Sequence, residues 1–167
     1  MEKEVKKWIE KLEAVKKGNI DLSRDEDLSI ALMNLVSLEE HFYFTAMKTN
    51  NQNYLEMLNS VRELRKNLLG RIVKNPKGEE WCISKHLLAS SMRLMEVGTK
   101  ELSKKNIDES NMFFQKAFDL YSLFFAINTN MVEAKELSNL DKEEKNKSSM
   151  LSKFSLVIKK IVDCCKE

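Results

Sequence analysis

Residues 79–104, EEWCISKHLLASSMRLMEVGTKELSK, and residues 109–137, ESNMFFQKAFDLYSLFFAINTNMVEAKEL, decide the fold between them. In the first run, Trp81, Leu87, Leu88, Met92, Leu94 and Met95 surround a line of small residues, Ser84, Ser91 and Gly98. Their seven-residue spacing is two helical turns, so the three stack along one edge where a neighbouring helix can come close. The second run carries six of the chain's thirteen aromatics: Phe113, Phe114, Phe118, Tyr121, Phe124 and Phe125. Wound on a helix, these cover one broad face and leave Gln115, Asp119 and Ser122 opposite. The spacing is that of a core helix; an aromatic binding groove is the sharper alternative. Lys105-Asn106-Ile107-Asp108 turns the chain between the two, and so short a connection packs them antiparallel.

The same pattern extends upstream. Ser23-Arg24-Asp25-Glu26 has the form of a capping box, in which the Ser hydroxyl and Glu carboxylate satisfy free N–H groups at a helix start. A helix then runs from about Arg24 to Thr49, the polar break Asn50-Asn51-Gln52-Asn53 ends it, and another runs to about Val73. Asn75-Pro76-Lys77-Gly78 is the clearest turn in the chain. Glu79 and Glu80 follow at the positive end of the next helix dipole. At the N-terminus, about Glu2 to Lys17, Val5, Trp8, Ile9, Leu12 and Val15 share a helical face, and Gly18-Asn19 closes the segment. Beyond the charged stretch Asp141 to Lys147, Leu151, Phe154, Val157, Ile158, Ile161 and Cys165 are again in helical register. With 4 Gly and 1 Pro in 167 residues, the chain lacks the turn residues that a sandwich or an α/β sheet needs. The expectation is an all-α, antiparallel bundle of four long helices with shorter N- and C-terminal flanking helices, one domain over residues 1–167.

About Ser91 to Phe124 resembles a single helical hairpin of the tetratricopeptide type. Leu94, Val97 and Gly98 stand where that repeat's first helix has large, large and small residues. Ser110, Phe114, Ala117 and Leu120 follow the small, aromatic, small, large pattern of its second helix. Glu101 replaces the usual tyrosine and Ser122 the usual proline, and no second copy lies one period away. The resemblance implies hairpin geometry and the family's protein-binding habit, without a stacked solenoid.

Lys plus Arg is 28 against 26 for Asp plus Glu, a net of +2, too balanced to point to nucleic acid or an anionic membrane. Cys82, Cys164 and Cys165 form no framework, which fits a reducing cytoplasm. No apolar run has the length of a signal peptide core or a transmembrane span. Lys66, Arg71, Lys74 and Lys77 make a modest basic patch that reads as a solvated helix end.

Polar residues inside apolar stripes are the candidate sites. Projected at a hundred degrees per residue, the helix of Arg24 to Thr49 has an apolar face of Leu28, Leu32, Leu35, Phe42, Tyr43 and Ala46. Glu39 falls near its middle, while Glu40 and His41 turn toward the flank of Asn34, Ser37 and Lys48. The next helix presents Tyr54, Met57, Leu58, Val61, Leu68 and Ile72, with Arg65 inside that face. A lone buried charge is strongly unfavourable, so Glu39 and Arg65 are expected to pair. Such a pair fixes helix register; the functional alternative is a polar ligand held between helices by Glu39, Arg65, Arg93 and Glu96.

The stripe Cys82, Lys85, His86, Ala89, Arg93, Glu96 and Lys100 offers Cys82 and His86 four apart, the half-site a helix gives zinc and also a thiolate–imidazole reach. His41 is the only other histidine available to complete a metal site. The ferritin-like di-iron pattern fails, because Leu38 and Ile83 stand three before the two histidines where it needs Glu. Phosphate-cradling Gly-rich loops, a serine elbow and His-Glu-x-x-His are all missing, so no catalytic set is assigned. The functional expectation is a non-enzymatic helical interaction or scaffold module, with a protein partner or a homodimer. The alternative is a small-molecule- or metal-binding bundle, with zinc as the metal.

Overall fold

The computed structural model describes residues 22–130. Within them lie four helices, α1 (Ser23–Thr49), α2 (Asn53–Ile72), α3 (Glu80–Ser103) and α4 (Ile107–Asn128), and no strand. The expected flanking helices lie outside the described residues.

Each loop has a local cause. Asn50 closes α1 in the left-handed region at φ 52°, which asparagine tolerates better than most residues. Asn51 Oδ1 then accepts the backbone N–H of Asn53, forming an Asx turn at the entry to α2. In the turn before α3, the Glu80 carboxylate accepts the N–H of Gly78 at 2.7 Å. After α3 the N–H of Asn106 reaches the carbonyl of Glu101 and that of Lys105 reaches Leu102, a Schellman closure with Lys105 left-handed at φ 64°.

Three local expectations need correction. The first turn of α1 is not closed by a capping box. Leu22 occupies the cap with a helical backbone, and its carbonyl accepts the Glu26 N–H at 2.8 Å, so Ser23 already lies inside the helix. The helix expected over about Glu109 to Leu137 ends at Asn128, and residues 131–137 lie outside the described residues. Asn128 and Thr129 bond back to the carbonyls of Phe124 and Phe125, and Asn130 turns left-handed at φ 55°. Asp119 and Ser122, placed on an outer polar face by projection, are buried. Residues 121–127 are buried without interruption, so this half of α4 has no solvent side. Ser122 meets the requirement by donating to the Phe118 carbonyl, and Asp119 accepts Gln115 Nε2.

The helices pair first as hairpins: α3 with α4 most extensively, then α1 with α2, whereas α1 with α3 is a lesser contact. In α3–α4 the small-residue seam does what its spacing requires. Asn128 donates to Ser84, Ser91 donates to the Ala117 carbonyl, and Ser110 donates to the Gly98 carbonyl. The numbers rise on α3 as they fall on α4, so the two run antiparallel. At Gly98 a Cβ would stand 2.7 Å from the Phe114 ring, which is the approach that only glycine permits.

One cluster joins all four helices. Leu32 and Met33 of α1, Leu69 and Ile72 of α2, Val73, Leu88 of α3, and Tyr121, Phe124 and Phe125 of α4 bury together. Phe125 meets the rings of both Tyr121 and Phe124 edge-on at 5.1 Å. These residues come from the start of α1, the end of α2, the start of α3 and the end of α4. Among the described residues the shared core is therefore at one end of the four helices, their root. In the opposite, distal halves Ala46, Gly98 and Ser110 are buried.

Candidate functional site

Consecutive residues of an α-helix point about a hundred degrees apart, so Glu39 and Glu40 face different neighbours of α1. Glu39 turns to α2. Arg65 donates from Nε to Oε1 at 2.7 Å and from Nη2 to Oε2 at 3.3 Å, a two-pronged pair. The side chains retain 4% exposure for Arg65 and 14% for Glu39, so the ion pair expected from projection is present and almost dry. Removing one partner of such a pair costs about 3–5 kcal/mol, because the other charge stays buried and unanswered.

Glu40 turns to α3, where it pairs with Arg93. This corrects the sequence reading, which sent Glu40 to an outer flank: away from α2 is, on this helix, toward α3. Here the side chains keep 42% and 50% exposure, and a pair so wet is worth about 0–1 kcal/mol. The two carboxylates thus tie α1 to one helix on each side, firmly to α2 and weakly to α3.

A third tie joins α1 to α4 and was not legible in either stripe. Ser29 Oγ donates to the Glu26 carbonyl at 2.6 Å, and its oxygen lies 2.7 Å from Tyr121 Oη. A hydroxyl has one proton, so Tyr121 must be the donor to Ser29. Burial pushes the Tyr121 hydroxyl up to about 12, and the negative charges of Glu26 and Asp27 add to it. The available signal was the seven-residue series Ser29, Val36, Tyr43 with Met33, Glu40, Met47, a second stripe on α1 beside the one facing α2.

The remaining candidates disperse. Arg93 meets Glu40; Glu96, one turn on, is half-buried. Cys82 and His86 both face solvent from α3, and His41 faces solvent from α1 beside the Phe42 ring. Among the described residues, no group of three or more His, Cys, Asp or Glu side chains is gathered as a metal ion would need. Cys164 and Cys165 lie outside the described residues. No described helix is long and apolar enough to cross a membrane.

An open concavity of about 840 Å³ sits at the α3–α4 turn, and none of the candidate residues above lines it. Val97, Ile107 and Phe113 line it with Glu101, Lys105, Asn106, Asp108 and Glu109. The Glu101 carboxylate accepts Lys104 Nζ and Asn106 Nδ2, each at 2.7 Å, and these two contacts, Lys104 first, hold its carboxyl below the usual carboxylate range. It is engaged in closing the turn, which is a structural task. Comparison with known protein families, with curated proteins and with solved structures returns no match.

Proposed function

We propose that this chain is a non-enzymatic helical interaction module, an antiparallel bundle domain that self-associates as a homodimer through the distal halves of its hairpins. The observation that carries this reading is the set of large apolar side chains left exposed there. On α1–α2 they are Tyr43, Phe44, Met47 and Met57, and on α3–α4 they are Met95, Val97, Leu102, Ile107 and Met112. Among the described residues Ile30 lies toward the root and Leu64 near the middle of α2. Scattered apolar residues are ordinary on a surface, but their concentration at one end marks an interaction region. The tetratricopeptide-like pattern of Ser91 to Phe124 points the same way, toward protein binding. The alternative, a ligand or metal held between helices, has less behind it. Glu39, Arg65 and Arg93 already answer one another's or Glu40's charge, and Cys82 and His86 stand in solvent.

Light scattering on a sizing column tests the reading. The expected species is a dimer that dissociates when Met47→Glu or Met57→Glu puts charge on the distal half. A chain that stays monomeric at every concentration and binds no hydrophobic dye overturns it. Stoichiometric zinc in protein purified without a histidine tag would favour the alternative instead.

A further inference from the structure

Among the described residues, the side-chain bonds that join one hairpin to the other are Tyr121–Ser29 at the root and Glu40–Arg93 beyond it. The shared core draws on the root ends of all four helices, and the Tyr121–Ser29 bond lies among them. Past that level, the described ion pairs and hydrogen bonds between the hairpins come down to Glu40–Arg93, and that pair is half in water. The α1 stripe that faces the other hairpin runs Ser29, Met33, Val36, Glu40 and then Tyr43 and Met47. Ser29 and Met33 are buried and Val36 is half-buried, whereas Tyr43 and Met47 are 48% and 51% exposed. The stripe therefore continues past the point where the second hairpin stops covering it.

We infer that the two hairpins pivot about their root and that Glu40–Arg93 is the latch that sets how far the distal halves stand apart. Each hairpin is internally stiff: one carries the dry Glu39–Arg65 pair, the other the close seam through Ser91 and Gly98. Motion is therefore channelled into the angle between them. A wet ion pair is weakened by salt, because at ~1 M the screening length falls to about 3 Å. Ionic strength therefore controls the opening, and with it the exposure of Tyr43 and Met47. The latch belongs to one copy of the chain and does not depend on self-association.

The test places spin labels at Lys48→Cys and Lys100→Cys, exposed positions of α1 and α3, with Cys82, Cys164 and Cys165 replaced by serine. Labelled protein is diluted into excess unlabelled protein, so that each distance is read within one copy. The label on α1 sits about 24 Å from the level of Leu32, so an opening of about 10° moves it by about 4 Å. The expected result is an outward shift of that size when salt is raised to ~1 M. In Arg93→Glu the outward shift is already present, and larger, at low salt, and high salt brings the distance back only to that of the original protein at ~1 M, since screening now relieves a repulsion. The charge swap Glu40→Arg with Arg93→Glu restores the starting distance. One distance in all proteins and at all salt concentrations, or a swap that fails to restore it, overturns the latch.

Discussion

The two hairpins solve the same problem with opposite chemistry. The α1–α2 hairpin buries an acid against a base, whereas the α3–α4 hairpin buries hydroxyls, an amide and a glycine. Long side chains such as Glu39 and Arg65 need room between helices and fix their register by charge. Small residues such as Ser91 and Gly98 remove that room and fix register by shape. The first solution is intolerant of losing either partner. The second spreads the requirement over several weak bonds, each worth about 1 kcal/mol, and concentrates its intolerance at the one place where a single methyl does not fit.

The contrast can be broken or sharpened by mutation, from the largest effect down. Arg65→Ala leaves Glu39 facing the interior and should cost about 3–5 kcal/mol in urea unfolding. Gly98→Ala drives a Cβ into the Phe114 ring and should cost about 1–3 kcal/mol, measured in the same way. A near-neutral result there would mean that the α3–α4 seam is looser than its hydrogen bonds imply. Gly70→Ala is the control, because its added Cβ would meet only Trp81 at an ordinary 3.8 Å on an exposed helix position. It should stabilise by about 0.5–1 kcal/mol through helix propensity alone.

A pH prediction concerns the tie between the hairpins. The folded state holds the Tyr121 proton until about pH 12, whereas an unfolded tyrosine releases it near 10. The unfolded state therefore binds fewer protons across that window, and stability falls as pH rises through it. Below about pH 10 the contribution is fully present. Tyr121→Phe removes this part of the decline, so urea midpoints of the two proteins should converge between about pH 10 and 12. Midpoints that stay parallel throughout would show that the hydroxyl is not held as the Ser29 contact requires.

Much of this architecture was legible in the chain itself, for reasons that can be named. Scarce Gly and Pro left helices as the only economical reading, and the seven-residue seam of α3 anticipated its close neighbour. Glu39 and Arg65 could be paired because each stood alone in an apolar stripe on adjacent helices. Projection failed where a helix has more than one neighbour. Glu40 and Ser29 lie off the α2-facing stripe of α1 but not off the protein, since α3 and α4 meet them there. Asp119 and Ser122 failed for the same reason, on a half-helix with no outer side. The capping box failed on a backbone matter, because Leu22 is already helical and the first turn closes one residue earlier.

The central claim is that an energetically coupled charge pair holds α1 to α2. A double-mutant cycle of Glu39→Leu, Arg65→Met and both together, followed by urea unfolding, tests it most directly. Each single change should be strongly destabilising and the double change close to the original protein, giving a coupling of about 2 kcal/mol or more. Single changes that are mild and simply add would contradict it.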